Sequence, residues 1–276
     1  MKRLTGLLWL VLAGPVCAGP DMTVLVPVGG AMSPQAISDA FRGNASVAAA
    51  LPGSPIADTA SSLYRSDVAL LVLDATHGTL PQNREHVVAA RQAGVPHVAV
   101  LITNVDALFD AVGAAEGPQL LALWEQEIRT LLELYGVGGA ETPVYHDSGD
   151  GRRRTATMAG DLAQLVSDLR DIPSGGRSAE KLQLVRAAAG EVYLLTHEET
   201  NGAAITIDTS RTLELWIGGR TTTATIEVAG VAAPGDFTGF RLRSHSPLPA
   251  AAASRLLFVD DGRIVGIGVI TKLALN

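Results

Sequence analysis

Residues 68–102 read VALLVLDATHGTLPQNREHVVAARQAGVPHVAVLI, and this stretch decides the fold. Val68 to Asp74 is a continuous apolar run, the pattern of a parallel strand buried on both faces. After Pro81, residues Asn83 to Ala93 predict a helix, Gly94-Val95-Pro96 turns the chain, and His97 to Ile102 is a second buried strand. Two buried strands joined through a helix form a crossover unit, so they lie parallel.

The alternation continues outward in both directions. Thr23 to Val28 (TVLVPV) predicts a strand that ends in Gly29-Gly30, and Gln35 to Arg42 predicts a helix through Ala36, Ile37, Ala40 and Phe41. Gly43 to Pro55 is dominated by small residues, Gly and Pro, and reads as loop. On the other side, Gly117 to Tyr135 predicts a long amphipathic helix with Leu120, Leu121, Trp124, Ile128, Leu131 and Leu132 on one face. Thr142 to Tyr145 predicts a strand and Thr157 to Arg170 a final helix. Strands alternating with helices imply an α/β fold, a mostly parallel sheet with helices on both faces.

The character changes at Pro173-Ser174-Gly175-Gly176. Beyond Gly190 the chain is strand after strand: Glu191–Thr196, Ala204–Asp208, Thr212–Ile217, Thr223–Val228, Thr238–Arg243, Leu256–Val259 and Arg263–Leu273, with Asp261-Gly262 as a tight hairpin turn. Such a run predicts a small antiparallel β-barrel. The expected organisation is a leader over 1–18, an α/β domain over 19–173, a linker over 174–189 and a barrel over 190–276.

The chain has 276 residues, 47% of them hydrophobic, enough for two compact domains with real cores. Its formal charge of −7 and the lack of any long basic run give no footprint for nucleic acid or an anionic membrane surface. Arg152, Arg153 and Arg154 form the one tight basic cluster and read as a solvated loop. At the N-terminus, Lys2 and Arg3 precede an apolar stretch from Leu7 to Val16 and then Val16-Cys17-Ala18, the layout of a secretory signal with cleavage expected after Ala18. Lipidation at Cys17 is the alternative, although Gly14-Pro15-Val16 matches its preceding box poorly. The stretch is short for a bilayer span, so no stable membrane insertion is expected once it is removed. Cys17 is the one cysteine, so the cleaved chain would have no thiol and no disulfide. The expected location is the periplasm or the medium.

Three stretches carry a family resemblance. Asp74-Ala75-Thr76-His77-Gly78-Thr79-Leu80-Pro81-Gln82-Asn83-Arg84-Glu85-His86, continuing to Ala90-Arg91-Gln92-Ala93-Gly94-Val95-Pro96, closely follows A-T-x-G-x-x-P-Q-T-R-E-H and A-R-Q-x-G-V-P of the translational GTPases. Glu125 to Tyr135 with Glu141-Thr142-Pro143-Val144 is the second. The third is Glu191-Val192-Tyr193-Leu194-Leu195 with Glu198-Glu199, together with Gly262 to Ile270 (GRIVGIGVI). In this order they resemble elongation factor Tu over most of 65–150 and 190–273. The resemblance implies a GTPase-like domain and the family's last barrel. The middle barrel, which in the family holds the aminoacyl end of transfer RNA, has no room in the roughly twenty residues after Pro173.

The same resemblance locates a nucleotide site whose residues are altered. With Gly30 on the last glycine of the phosphate loop, Ala31 stands at the lysine position and Met32 at the magnesium-binding hydroxyl position. Ser33 offers a hydroxyl, but Pro34 removes a backbone donor. Gly29 and Gly30 remain as a degenerate loop, which equally suits a turn that only permits tight packing. Between Phe41 and Asp67 no D-x-x-G followed by histidine is evident, which removes the group that orients water and the aspartate that reaches magnesium. The guanine motif N-K-x-D corresponds to Thr103-Asn104-Val105-Asp106 and keeps its aspartate alone, while Ser148-Gly149 stands for the later S-A motif.

The expected binding residues are therefore Asp106, Asn104 and Ser148 at a vestigial guanine site, with Gly29 and Gly30 in the phosphate loop. No catalytic residue and no metal ligand is expected, and no cofactor, with weak GTP or GDP binding through Asp106 left open. Asp106 also suits a cap on a following helix. Arg84, Glu85 and His86 read as a packed, salt-bridged helix start in preference to acid–base machinery, and His197-Glu198-Glu199 needs a distant ligand to hold a metal. Asp67 and Asp74 end a buried strand, where open α/β sheets bind ligands. Asn44-Ala45-Ser46 fits a glycosylation acceptor. The function expected is that of an exported, non-catalytic binding or interaction protein with a protein partner. The alternative is a divergent GTP-binding protein with residual activity, and a third reading is another enzyme reusing the crevice.

Overall fold

A computed structural model describes residues 20–26, 39–41, 45–50, 53–147, 158–173 and 182–274. The first half is a six-stranded sheet in the order β2-β1-β3-β4-β5-β6, parallel at every pairing. Its strands are β1 (Asp21–Leu25), β2 (Ser46–Ala50), β3 (Val68–Asp74), β4 (His97–Thr103), β5 (Val144–His146) and β6 (Gly160–Asp161). The helices are α1 (Ile56–Arg65), α2 (Pro81–Ala93), α3 (Val105–Leu134) and α4 (Leu162–Leu169).

β3 is central and every residue in it is buried, as its unbroken apolar run requires. It pairs with β4 from Val68↔His97 to Asp74↔Thr103, so both strands end together at one edge of the sheet. α2 starts with Pro81 in its first turn, Asn83 Oδ1 accepts the Leu80 N–H at 2.8 Å, and left-handed Gly94 ends it. One sheet face, with Leu71, Leu73 and Ile102, packs on Val87, Ala90, Leu121 and Ile128 of α2 and α3. The other face, with Val24, Leu70 and Leu101, packs on Phe41 and on Leu165 and Leu169 of α4.

Several sequence expectations are corrected. The stretch Gly43–Pro55 is not all loop: Ser46–Ala50 pairs parallel to β1 as an edge strand, and α1 follows immediately. The helix expected from Gly117 begins earlier, because Val105–Leu134 is two helical pieces joined at Gly113, whose backbone is non-helical. The last helix is shorter than Thr157–Arg170, since Gly160–Asp161 joins the sheet edge and Asp161 caps α4 by accepting from the Gln164 N–H. The expected strand Thr23–Val28 is a strand through Leu25, with Pro27 and Val28 outside the described residues, and of the expected helix Gln35–Arg42 only Asp39 to Phe41 are described, Asp39 and Ala40 being helical.

The second half is a closed antiparallel barrel in the order β10-β7-β12-β11-β8-β9. Its strands are β7 (Gln183–Leu194), β8 (Ser210–Ile217), β9 (Arg220–Val228), β10 (Phe237–Ala250), β11 (Arg255–Asp260) and β12 (Arg263–Ala274). β7 starts within the stretch expected as linker. The expected strand Ala204–Asp208 is reduced to an isolated bridge between Ile207 and Ala232. Asp261 and Gly262 both have positive φ, as the tight turn between β11 and β12 demands. Val192, Leu194, Leu215, Ile226, Leu242 and Phe258 fill the barrel. Trp216, Leu257, Val259 and Ile264 instead join the core of the first half, so barrel and helices share one apolar interface.

Candidate functional site

The carboxyl ends of β3, β4 and β5 meet at one edge of the sheet, and the residues following them form a single hydrogen-bonded knot. Asp74 closes β3 and is almost fully buried. One of its oxygens accepts the Thr76 N–H at 2.8 Å and the Thr76 hydroxyl at 2.5 Å, and the other accepts the Asn104 side-chain amide at 2.7 Å. Asn104 follows β4 with left-handed φ of 59°, a conformation asparagine tolerates, and sits at the N-cap of α3. Its backbone N–H donates to Asp147 at 2.9 Å, and the Val105 N–H donates to the other Asp147 oxygen at 3.4 Å. Thr103 is turned inward, its hydroxyl on the Leu73 carbonyl at 3.0 Å.

Asp147 was not singled out from the sequence. A lone aspartate beside Ser148 looks like loop punctuation, and only the folded chain brings it against the start of α3. Burial pushes its pKa up, the Asn104 and Val105 N–H groups pull it back, and nearby Asp106 adds repulsion. Asp106 occupies the exposed first turn of α3, where a carboxylate favours the helix dipole, but the cap itself is Asn104. Thus Asn104 and Asp106 are brought together with Asp74 and Asp147. Ser148, Gly29 and Gly30 lie outside the described residues, as do Ala31, Met32, Ser33, Pro34, Arg152 to Arg154, Asn44 and the leader.

The turn after β3 is held from above by Trp124 of α3, whose indole N–H donates to the Ala75 carbonyl at 3.0 Å. Its ring covers Gly78, where a Cβ would come within 2.8 Å of it. β2 ends at Ala50, three positions before Gly53, whose φ is +82°.

Most of the remaining candidates have structural partners. Glu85 pairs with Arg263 of β12 at 2.5 Å, and Arg84 donates to the Glu198 carbonyl. His86 is buried on α2. Glu199 accepts from the Tyr135 and Tyr193 hydroxyls at 3.0 and 2.9 Å and from the Thr196 N–H. Burial pushes that carboxyl up, but these donors together hold its pKa below the usual value. Asp67, at the other end of β3, accepts the Asp21 N–H at 3.1 Å. Among the described residues no group of three His, Cys, Asp or Glu is placed to hold a metal ion, and no helix is long and apolar enough to cross a membrane.

Residues 56–174 match the family model described as the elongation factor Tu GTP binding domain. The matched span runs from the start of α1 past the end of α4. With a parallel α/β sheet and a closed six-stranded antiparallel barrel after it, the chain is elongation factor Tu-like in its GTP-binding domain and in its architecture.

Proposed function

We propose that this chain uses its elongation factor Tu GTP-binding domain as a scaffold, acting outside the cytoplasm as a non-catalytic binding or interaction protein. The observation that carries the reading is the knot at the guanine loop. Where the family's lysine packs along the base, Asn104 spends its amide on Asp74, and the neighbouring backbone N–H groups are spent on Asp147. A loop whose donors are already paired with one buried and one half-buried carboxylate gains little by exchanging them for a ligand.

Charge supports the same reading. Residues 19–173 contain eighteen Asp and Glu against nine Arg and no Lys. A triphosphate would enter an acidic half with no phosphate-loop lysine and no D-x-x-G aspartate evident between Phe41 and Asp67, which forfeits the charge neutralisation that phosphoryl transfer depends on. The leader-like Lys2 to Ala18 segment supports export. Titration calorimetry of the purified protein with GTP and GDP, with and without magnesium, tests the proposal. The expected result is no magnesium-dependent binding at micromolar concentrations, and sub-micromolar magnesium-dependent affinity overturns it.

The second reading is a divergent GTP-binding protein with residual activity, favoured by Asp106, which keeps the position of the base-reading aspartate and is exposed at the loop. It requires phosphate release from GTP above a protein-free control, lost in Asp106→Asn.

A further inference from the structure

The two edges of the parallel sheet are unlike. β6 ends it on one side with only Gly160 and Asp161, too short and too charged to template another strand. β2 ends it on the other side with Ser46-Val47-Ala48-Ala49-Ala50, which carries no charge and no proline and pairs with β1 without a bulge. Charge, proline, a bulge or a very short strand are the usual protections of a sheet edge, and β2 has none of them. The barrel is closed and offers no edge.

β2 bonds to β1 through alternate residues. The Ser46 N–H donates to the Pro20 carbonyl at 3.1 Å and the Ala50 carbonyl accepts the Val26 N–H at 3.5 Å, so Ser46, Ala48 and Ala50 face β1. The intervening Val47 and Ala49 turn their N–H and C=O groups away from the sheet, and among the described residues these four groups have no partner. Ala48 and Ala49 project to opposite faces of the sheet and both are exposed. Neither helix layer therefore overhangs the edge.

We propose that β2 pairs with β2 of a second copy of this chain, antiparallel about a two-fold axis through Ala48, so that the two six-stranded sheets become one. The edge is complementary to itself. Val47 and Ala49 sit symmetrically about Ala48, so the pairing sets Val47 opposite Ala49 of the partner subunit and Ala49 opposite the partner's Val47. Both pairs exchange two N–H···O=C bonds, which satisfies all four outward groups. The chain carries a net charge of −7, yet no charge sits on this strand, so self-pairing brings no like charges together across the ladder. Alanine at the axis suits the position where side chains of an antiparallel pair come closest. Because β6 and the barrel present no further edge of this kind, assembly stops at two copies. Five residues a side make a small interface, so the dimer is weak and concentration-dependent. The inference does not depend on whether the crevice binds guanine nucleotide.

Small-angle scattering of the purified chain from about 10 μM to about 500 μM tests it, with the apparent mass expected to rise toward twice the monomer's across this weak-affinity range. Ala49→Pro removes an outward donor without breaking a bond to β1, and should hold the mass at the monomer's value. Circular dichroism checks that the sheet is intact in that variant. A second pair of variants fixes the register. In a Cys17→Ser background, Ala48→Cys should give a disulfide-linked dimer under mild oxidation, because the two Cα atoms at the axis lie about 4.5 Å apart, within disulfide reach. Ala49→Cys in the same background should not, since its two copies lie about 8 Å apart. A monomer at every concentration, which is the result if the edge receives a strand of another protein, overturns the proposal. So does a dimer that survives Ala49→Pro, or cross-linking through Ala49→Cys as readily as through Ala48→Cys.

Discussion

The His86 ring is buried on α2 with Nδ1 lacking a hydrogen-bond partner among the described residues, and burial lowers its pKa from 6.5 to about 4. The folded chain therefore keeps this imidazole neutral, while the unfolded chain protonates it below about pH 6.5. Stability is lost as pH falls from 6.5 toward 4, and the loss levels off below the folded value; the full difference is about 3 kcal/mol. At pH 5 the protein should be about 2 kcal/mol less stable than at pH 7 from this group alone. His86→Leu should flatten that dependence, measured as urea midpoints at the two values. An equally steep acid loss in the variant would place the titration elsewhere. The sequence offered Arg84-Glu85-His86 as a charged triplet, and two members do form contacts to the barrel, but the histidine's isolation became visible only once α2 was packed.

At the scale of elements, Asp147 connects two loops that are far apart in the chain. By accepting the Asn104 and Val105 N–H groups it satisfies donors at the start of α3, which Asn104 does not cap with its own side chain. Asp147→Ala should cost about 1–2 kcal/mol and raise amide exchange at Asn104 and Val105 specifically. Unchanged exchange at those two amides would show that the cap is not what holds the loop. The elements with strong local signals were readable beforehand. β3 and β4 announced themselves by apolar runs, α2 by its Pro81 and Gly94 boundaries, and the turn between β11 and β12 by Asp261-Gly262. β2 was not, because Ser46-Val47-Ala48-Ala49-Ala50 has no alternation and becomes a strand only by pairing with β1 at the sheet edge. α1 was missed for a related reason: Pro55 starts it without a side-chain cap, and its small residues gain their helical state from burial of Ile56, Ala57, Ala60 and Leu63. The knot of Asp74, Asn104 and Asp147 depends on three strand ends converging, which no single stretch of sequence encodes.

Across the whole molecule, the barrel grips three successive helices of the GTP-binding domain. Trp216 of β8 is buried, donates its indole N–H to the Ser61 hydroxyl of α1 at 2.9 Å, and meets Tyr64 edge-on with ring centres 5.9 Å apart. Gln92 of α2 donates to the Leu256 carbonyl, Glu85 pairs with Arg263, and Tyr135 beyond α3 donates to Glu199. These contacts tie the two halves together although no middle barrel stands between them. An interface with a buried tryptophan at its centre and hydrogen bonds on either side should make the halves unfold as one cooperative unit. Trp216→Ala removes the aromatic contact and leaves Ser61 without its donor, a cost of about 3–5 kcal/mol. In urea, the loss should fall on the coupling between the halves. The helical signal of the first half and the near-ultraviolet signal of Tyr193 and the barrel aromatics, coincident in the unmodified chain, should separate into two transitions. Glu85→Gln with Arg263→Gln, which removes a partly buried ion pair, should lower the midpoint slightly and leave the transitions coincident. Two transitions already present in the unmodified chain would mean that the halves are neighbours without being coupled.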